Sequence, residues 1–164
     1  MNKLKIYLDT SIISFLYADD SPEKKEITIE FFQSYLDKYD VFISRFVILE
    51  LQNTVNSKLR EKLLGSISKH DLTIIEIDKS RQEQIFNLAK DYIEQKIIPE
   101  NKMDDAIHIA ISTIFNMDIL LSWNFRHLAN IKKQIQINER NKSKGFMKEL
   151  FIVNPMEVIY ENEN

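Results

Sequence analysis

Five short segments of strand character alternate with helical segments along the chain, and this alternation constrains the fold more than any other feature. Each strand segment is apolar and bounded by polar or charged residues. The predicted strands are Lys3–Leu8, Val41–Ile43, Leu72–Ile77, Asp118–Ser122 and Leu150–Val153. Because parallel strands need long crossover connections, the alternation predicts an α/β fold with a mainly parallel sheet covered by helices on both faces.

Helical spacing of apolar residues predicts the crossovers. Ser21 and Ser80 are the predicted N-caps of two of these helices, Ser80 as part of a capping box with Glu83. The polar stretch Asn138–Lys144 is predicted to be mobile. The predicted helices cover residues 10–17, 22–39, 58–69, 80–95 and 103–115, and two more begin at Ser44 and near Phe125. Without repeats or a linker, residues 1–164 are predicted to form a single domain.

The amino-acid composition argues against several classes of protein. With no cysteine, the chain has no disulfide framework, no thiolate nucleophile and no Cys-ligated zinc, which fits a reducing compartment. Two glycines are too few for a phosphate-binding glycine loop or a dinucleotide fingerprint. No apolar run is long enough for a membrane span and no signal-peptide pattern is present, so we expect a cytoplasmic protein with no membrane partner. The net charge of −3 argues against a generally cationic nucleic-acid binder but permits a local basic surface.

Acidic residues occur among apolar neighbours at three places, where burying a charge would be costly without a reason. Asp9 ends the first strand, Glu50 lies within an apolar helical segment, and Asp104 and Asp105 begin a helix. Asn124 follows the fourth strand, where an α/β fold directs its loops towards a ligand.

Each of these residues also has a purely structural interpretation. Asp9 could cap the following helix, and Glu50 could pair with a surface lysine. Asp104 and Asp105 could both be acids favoured by the helix dipole, and Asn124 could be a turn residue.

Considered together, the acids indicate a cation. Carboxylates gathered at one sheet edge repel one another, and a bound cation relieves that repulsion. Oxygen donors without cysteine and with little histidine favour Mg²⁺ or Mn²⁺ over Zn²⁺. Such an ion activates water and neutralises charge on a phosphodiester.

Four blocks of sequence, in order, resemble the PIN-domain ribonucleases, a family that includes the VapC-like toxins of type II toxin–antitoxin modules. No single block is specific for this family, but the order and spacing of the four blocks are. They are Tyr7-Leu8-Asp9-Thr10-Ser11, Ile48-Leu49-Glu50-Leu51, residues 105–110 and residues 118–125.

The resemblance implies an α/β/α sandwich, metal-dependent RNA cleavage, a homodimer and, for toxin members, an antitoxin partner. It implies that Asp9, Glu50 and Asp105 hold Mg²⁺ or Mn²⁺. The fourth family position, often an aspartate, falls on Asn124, whose neutral amide would hold a second metal ion less strongly.

Other polar residues are candidates for supporting roles. Asp104 adds a second carboxylate beside Asp105, although adjacent helix positions point about 100° apart, so we expect Asp105 alone to face the metal directly. Thr10 and Ser11 are candidates for orienting water or for helix capping, and Ser122 for a supporting hydrogen bond. His108 is one turn after Asp105 and is better explained as a hydrogen-bonded buried residue than as a ligand.

Two further features have both a functional and a structural interpretation. Trp123 could stack on a base or pack under the following helix. The segment from Arg126 to Lys148 has seven basic residues and one acid, which suits either a solvated helix or a rim that contacts an RNA backbone or an acidic partner. The candidate RNA-binding residues are Arg126, Lys132, Lys133, Lys142 and Lys144.

Three hypotheses follow from the sequence. The first is a Mg²⁺- or Mn²⁺-dependent endoribonuclease that uses Asp9, Glu50, Asp105 and Asn124, and the alternative is a non-catalytic PIN-like module that binds RNA or protein. The third is a phosphotransfer domain, which is disfavoured because a phosphatase of that type needs a second aspartate where this chain has Ser11.

Overall fold

The structure, a computed structural model, describes residues 2–125 and 127–163 and contains the predicted parallel sheet. Its strands run side by side in the order β3-β2-β1-β4-β5, and every neighbouring pair is parallel. The strands are β1 (Lys5–Leu8), β2 (Asp40–Ser44), β3 (Thr73–Ile75), β4 (Ile119–Leu121) and β5 (Phe151–Val153). All five predicted strands are therefore confirmed.

Helices connect successive strands and cover both faces of the sheet, as predicted. The α-helices are α1 (Thr10–Phe15), α2 (Pro22–Glu30), α3 (Arg45–Gln52), α4 (Ser57–Lys69), α5 (Lys79–Glu94), α6 (Met103–Ile114), α7 (His127–Ser143) and α8 (Pro155–Glu163). A π-helical turn, Phe31–Tyr35, and a 3₁₀ turn, Leu36–Lys38, extend α2, and a second 3₁₀ turn, Glu100–Lys102, precedes α6. None of the helices among the described residues combines the length and hydropathy needed for a membrane span.

The core lies around β1 and α6. Ile6, Tyr7 and Leu8 are fully buried, because β1 is the central strand and both of its faces are covered. Helix α6 packs closely against α5, and nine consecutive residues, 106–114, are buried. A helix that is buried on all sides is a core element rather than an amphipathic surface helix.

One of the two predicted N-caps is confirmed in position and the other is wrong. Ser21 is the N-cap residue of α2, although its side chain makes no capping hydrogen bond. Asp78, not Ser80, caps α5, because the helix begins one residue before Ser80 and Asp78 Oδ1 accepts the backbone N–H of Arg81 at 2.8 Å.

The prediction of a mobile segment at Asn138–Lys144 is also wrong. Most of this segment belongs to α7, and Asn138 and Asn141 are 5% and 0% exposed. Asn141 accepts a hydrogen bond from the Tyr92 hydroxyl and donates one to Thr113, so α7 is fixed to α5 and α6. Asn138 and Asn141 are therefore polar residues that bind neighbouring segments of the chain rather than water.

An ion pair joins the same end of α7 to α5 and gives the protein an acid-sensitive contact. Arg140 donates from Nε and Nη2 to the two Asp91 carboxylate oxygens, both at 2.7 Å, and Lys144 lies 3.5 Å from Asp91 Oδ1. The hydrogen bond from Arg140, reinforced by the charges of Arg140 and Lys144, lowers the pKa of Asp91 despite its burial. An aspartate with a lowered folded-state pKa stabilises the fold above its unfolded pKa, about 3.9, and loses this contribution as the pH falls through the folded value.

We therefore expect Asp91→Asn to lower the free energy of unfolding by about 1 kcal/mol at pH 7, because the guanidinium is partly solvated and the pair is screened. The difference from the wild type should begin to shrink near pH 4, where Asp91 of the unfolded chain protonates, and should disappear as the pH falls through the lower pKa of Asp91 in the folded chain. Urea denaturation at a series of pH values measures this difference in stability. The control is Glu83→Gln, which also converts a carboxylate to an amide, at an exposed position of α5. An equal loss of stability in both variants would contradict the prediction.

Candidate functional site

The candidate site lies where the strand order of the sheet reverses. From β1 the chain proceeds to β2 and β3 on one side, whereas β4 and β5 lie on the other. Asp9 directly follows β1 and Ser122 directly follows β4, and the backbone N–H of Asp9 donates to Leu121 O at 3.2 Å. Open α/β sheets bind ligands outside the carboxyl ends of strands at such a reversal.

Asp9 is buried and is held by the turn that begins α1. Its side chain is 1% exposed, and Oδ1 accepts hydrogen bonds from the backbone N–H of Ser11 at 3.0 Å and from Ser11 Oγ at 2.5 Å. Ser11 Oγ in turn accepts the backbone N–H of Trp123 at 2.9 Å. Asp9 is therefore an N-cap, and Ser11 ties the loop after β1 to the loop after β4.

Glu50 enters the site from the second turn of α3, with its side chain 33% exposed. Thr10 Oγ1 donates to Glu50 Oε1 at 2.8 Å, and His108 Nε2 lies 2.5 Å from the same oxygen. Glu50 thus does not pair with a surface lysine, as the structural interpretation of its sequence position suggested. It is held instead by residues of α1 and α6.

Asp105 and Asn124 contact each other across the site. Asn124 Nδ2 donates to Asp105 Oδ1 at 3.2 Å, and the backbone N–H of Asn124 donates to Ser122 Oγ at 3.0 Å. Ser122 therefore makes the predicted supporting hydrogen bond. Asn124 directs its amide N–H₂ towards the carboxylate of Asp105, where the family pattern often has a fourth carboxylate.

These side chains surround one open cavity of about 280 Å³. Its lining residues are Asp9, Thr10, Glu50, Asn101, Lys102, Asp104, Asp105, His108 and Asn124. Asp104 and Lys102 have exposed side chains at the rim of the cavity.

Burial and mutual repulsion affect the acids differently. Burial raises the pKa of Asp9, the charge of Asp105 adds to this, and His108, Ser11 and Ser122 partly oppose it. Burial also raises the pKa of Asp105, with Asp104 adding to it and Asn124, His108 and Lys102 opposing it. A cavity in which two carboxyl groups resist ionisation is one that a positive ion stabilises.

Glu50 and His108 form a coupled pair. Burial acts to raise the pKa of Glu50, but the hydrogen bond and charge of His108 and the Thr10 hydroxyl together lower it. Burial acts to lower the pKa of His108, but the hydrogen bond to Glu50 and the charges of Asp9, Glu50 and Asp105 together raise it. His108 is 3% exposed and has partners at both ring nitrogens, as expected for a hydrogen-bonded buried residue.

The donor set fits a hard divalent cation. Carboxylate oxygens of Asp9, Glu50 and Asp105, from three separate elements, line the cavity, and hard cations with oxygen ligands prefer such groups. Among the residues whose side chains the structure describes, 2–125 and 131–163, no three His, Asp or Glu side chains are already grouped closely enough to form a finished site. The carboxylates thus share one cavity rather than a preformed cage.

Trp123 packs against α1 and α2. Its Nε1 donates to Thr28 Oγ1 at 2.9 Å, and its ring centroid lies 5.9 Å from that of Phe15. Lys24 Nζ lies 5.4 Å from the centroids of both rings. These contacts fix the ring against α1 and α2.

The basic residues between Arg126 and Lys148 include some that form ion pairs within the fold and others whose side chains are exposed to solvent. Arg140 and Lys144 contact Asp91, and Lys148 lies 3.0 Å from Asp118. Lys132 and Lys142 have exposed side chains and Lys133 is half-buried. Arg126 lies outside the described residues.

Comparison with known proteins gives the family. The PIN domain family profile matches residues 6–133, which include all four acids of the site and Asn124. The chain belongs to the PIN domain family. No curated protein sequence is similar enough to this PIN-domain chain to count as a match.

Solved structures agree on the fold. A chain in the crystal structure of VapBC2 from Rickettsia felis, bound to a DNA fragment from their promoter, superposes with a TM-score of 0.57. The match covers 92% of this PIN-domain chain and 98% of the other chain at 17% sequence identity. At that identity the likeness establishes the shared PIN fold, and the α/β/α sandwich expected from the sequence is confirmed.

Sequence reasoning missed part of the site. Asn101 and Lys102 line the cavity from the 3₁₀ turn before α6, and neither is among the predicted site residues. The hydroxyls of Tyr7 and Ser44 were not predicted to lie near the site, although Tyr7 contacts His108 and Ser44 contacts Tyr7 beneath the cavity. The available signal was a hydroxyl residue within or directly after a buried strand segment, where a buried hydroxyl needs a partner.

Proposed function

We propose that this PIN-domain protein is a metal-dependent endoribonuclease that hydrolyses RNA phosphodiester bonds. The observation that carries the proposal is the convergence of Asp9, Glu50 and Asp105 on one cavity at the reversal of strand order, from the position after β1, from α3 and from α6. The raised pKa values of Asp9 and Asp105 support a positively charged occupant.

In this proposal Asp9, Glu50 and Asp105 hold Mg²⁺ or Mn²⁺. When bound, such an ion supplies an activated water and offsets negative charge on the phosphodiester. Ser11 fixes Asp9, and Thr10 and His108 fix Glu50, so each carboxylate is oriented before substrate arrives. Asn124 orients Asp105 through its amide hydrogen bond, and Asp104 adds negative charge at the rim.

The test is cleavage of a mixed RNA pool with Mn²⁺ and with EDTA, using the wild type and Asp105→Ala. We expect fragments only with the wild type and Mn²⁺. Equal cleavage in EDTA, or by a folded Asp105→Ala variant, would contradict metal-dependent hydrolysis at this site.

A second candidate, a non-catalytic PIN-like module that binds RNA or protein, is favoured by one observation. Asn124 directs an N–H donor at Asp105, where the family pattern often supplies another acid. Calorimetric titration with Mn²⁺ separates the two candidates. Heat of binding supports the nuclease, whereas RNA affinity in EDTA without Mn²⁺ binding supports the non-catalytic module.

We also propose that the protein is the toxin of a toxin–antitoxin pair located in the cytoplasm. The structural likeness to a chain of the VapBC2 complex supports an antitoxin partner. Co-expression with the product of the flanking reading frame should yield a complex that inhibits RNA cleavage. A flanking product that neither binds nor inhibits would count against this pairing.

A homodimer is proposed through the groove between α3 and the edge strand β3. The groove has a volume of about 750 Å³ and an apolar floor, with Leu49 and Ile74 each 44% exposed. Arg45 lines it together with Glu76 and Asp78, so two copies related by a two-fold axis present complementary charges to each other.

Leu49→Asp is expected to sediment as a monomer, because it places a charge in the centre of an apolar interface. Val55→Asp, at a position 95% exposed and outside the groove, is the control and should remain dimeric. A dimer in both variants would place the interface elsewhere, and a monomeric wild type would end the proposal.

We propose that Lys132, Lys133 and Lys142 contact the RNA backbone, with Arg126 and Lys144 as further candidates. Each phosphate contact removed should reduce the slope of log affinity against log salt by about 0.7 for single-stranded RNA. Lys132→Gln and Lys142→Gln, measured by anisotropy across a salt series, test this. An unchanged slope in both variants would mean that these lysines are solvent-exposed and do not contact RNA phosphates.

A further inference from the structure

A buried chain of hydrogen bonds lies directly beneath the candidate site. Ser44 Oγ lies 2.7 Å from the Tyr7 hydroxyl, which lies 2.7 Å from His108 Nδ1. His108 Nε2 lies 2.5 Å from Glu50 Oε1. Ser44 and Tyr7 are fully buried and His108 is 3% exposed, so these groups bind one another rather than bulk water.

The direction of the hydrogen bond is fixed at the Glu50 end of the chain. Glu50 is a carboxylate and only accepts, so His108 Nε2 carries the hydrogen that joins them. The Tyr7 hydroxyl bonds Nδ1, as the donor to a neutral ring and as the acceptor from a protonated one. The hydroxyls of Tyr7 and Ser44 can each donate or accept, so every member of the chain has a partner in either case.

The two contacts to Glu50 use the same oxygen. Thr10 Oγ1 and His108 Nε2 both bind Oε1, at 2.8 and 2.5 Å. Oε2 is then the oxygen that Glu50 presents to the cavity. The orientation of Glu50 thus depends on the orientation of His108, and His108 is held from beneath by Tyr7.

We propose that Tyr7, supported by Ser44, is a positioning residue that holds His108 as a donor to Glu50 and so directs Glu50 Oε2 into the cavity. This inference rests on the proposed function, because Oε2 is the oxygen that would contact the cation. Outer partners of metal ligands typically change metal affinity or activity by about 10- to 100-fold when they are removed.

Tyr7→Phe is the principal test, because it keeps the ring and removes only the hydroxyl. Tyr92→Phe is the matched control. Tyr92 is also fully buried, and its hydroxyl contacts Asn141 and Thr113 beside α6 and α7 rather than the site. Both variants lose a buried hydroxyl. A difference between them therefore reflects the contact of the Tyr7 hydroxyl with His108 rather than a general loss of stability.

Two measurements are made on each folded variant. Nitrogen-15 spectra of the histidine rings in metal-free protein report the hydrogen bonding of both His108 ring nitrogens, and calorimetry with Mn²⁺ alone reports affinity without RNA or turnover. We expect Tyr7→Phe to shift the His108 Nδ1 resonance, because that nitrogen loses its partner, and to bind Mn²⁺ about tenfold more weakly. Tyr92→Phe should match the wild type in both measurements.

Ser44→Ala removes one hydroxyl and no ring. It should shift both readouts in the same direction as Tyr7→Phe, and it replaces Tyr7→Phe if that variant does not fold.

An unchanged ring spectrum or an unchanged Mn²⁺ affinity in folded Tyr7→Phe would overturn the inference, as would an equal effect of Tyr92→Phe. If the wild type binds no Mn²⁺, the proposed nuclease fails separately. The positioning role is then decided by the His108 spectrum and by the carbon-13 shift of the Glu50 carboxylate.

Discussion

Asp9→Asn should reduce Mn²⁺-dependent RNA cleavage by about a thousandfold, equivalent to about 4 kcal/mol of activation free energy. The substitution replaces one carboxylate oxygen with an N–H₂ group, so the side chain loses its charge and half of its oxygen donors. Asp9 is the most deeply buried acid of the site, at 1% exposure, so water does not readily take over its role. Initial rates on a defined RNA at saturating Mn²⁺ measure the effect.

The same substitution should leave the fold intact. Asn is as good an N-cap as Asp, and its carbonyl oxygen can accept the hydrogen bonds from Ser11 that Asp9 accepts. Removing a buried carboxyl group whose pKa is raised by burial also relieves a cost of ionisation at neutral pH. A melting temperature close to that of the wild type would show that lost activity is a loss of chemistry.

Asp104→Asn is the matched control for this experiment. It makes the same chemical change at an exposed position at the cavity rim. We expect it to retain most of the activity, since Asp104 contributes only charge. If Asp9→Asn cleaves RNA as fast as Asp104→Asn, Asp9 is only a helix cap and the proposed chemistry is wrong.

The sheet and the site acids were predictable because both have local signatures. Each strand is a short apolar run bounded by polar residues. The spacing of its apolar residues and the length of the run identify it without knowledge of the neighbouring strands. Asp9 ends such a run, and the carboxyl end of a parallel strand is where ligands bind. Topology then brings Glu50 and Asp105 to the same cavity, which is why a sequence pattern predicted a spatial cluster.

The remaining features depend on contacts between distant segments, which a local pattern does not contain. The hydroxyl of Tyr7 meets His108 across 101 residues, and Trp123 Nε1 meets Thr28 across 95. The sequence around Asn138 and Asn141 is polar enough to resemble a loop, although both side chains are buried. Polarity alone does not distinguish a residue that binds water from one that binds another segment of the chain.

Asn138→Ala should therefore be the most destabilising single change that we expect outside the site. Asn138 Nδ2 donates to Leu150 O and its Oδ1 accepts from Leu150 N, both at 2.9 Å. These two bonds join α7 to the residue that leads into β5, and Leu150 is 1% exposed. Without the amide, both backbone groups are buried and unpaired.

An unsatisfied buried polar group costs about 1–3 kcal/mol, so the two together should lower the free energy of unfolding by about 3 kcal/mol. Ordinary domains are stable by only about 5–15 kcal/mol, and a loss of this size should be evident in the urea midpoint. Because α7 is anchored to β5 here, amide hydrogen exchange should also accelerate first in Phe151–Val153.

Gln136→Ala separates this effect from helix propensity. Gln136 lies on the same helix with an exposed side chain, and alanine there removes an amide and improves helix propensity in the same way. We expect it to change the free energy of unfolding by less than about 0.5 kcal/mol. Since α7 carries Lys132, Lys133 and Lys142, a destabilised Asn138→Ala variant should also bind RNA more weakly at temperatures where β5 exchanges freely. Equal stability of the two alanine variants would mean that water replaces the amide and that α7 is held to the sheet by other contacts.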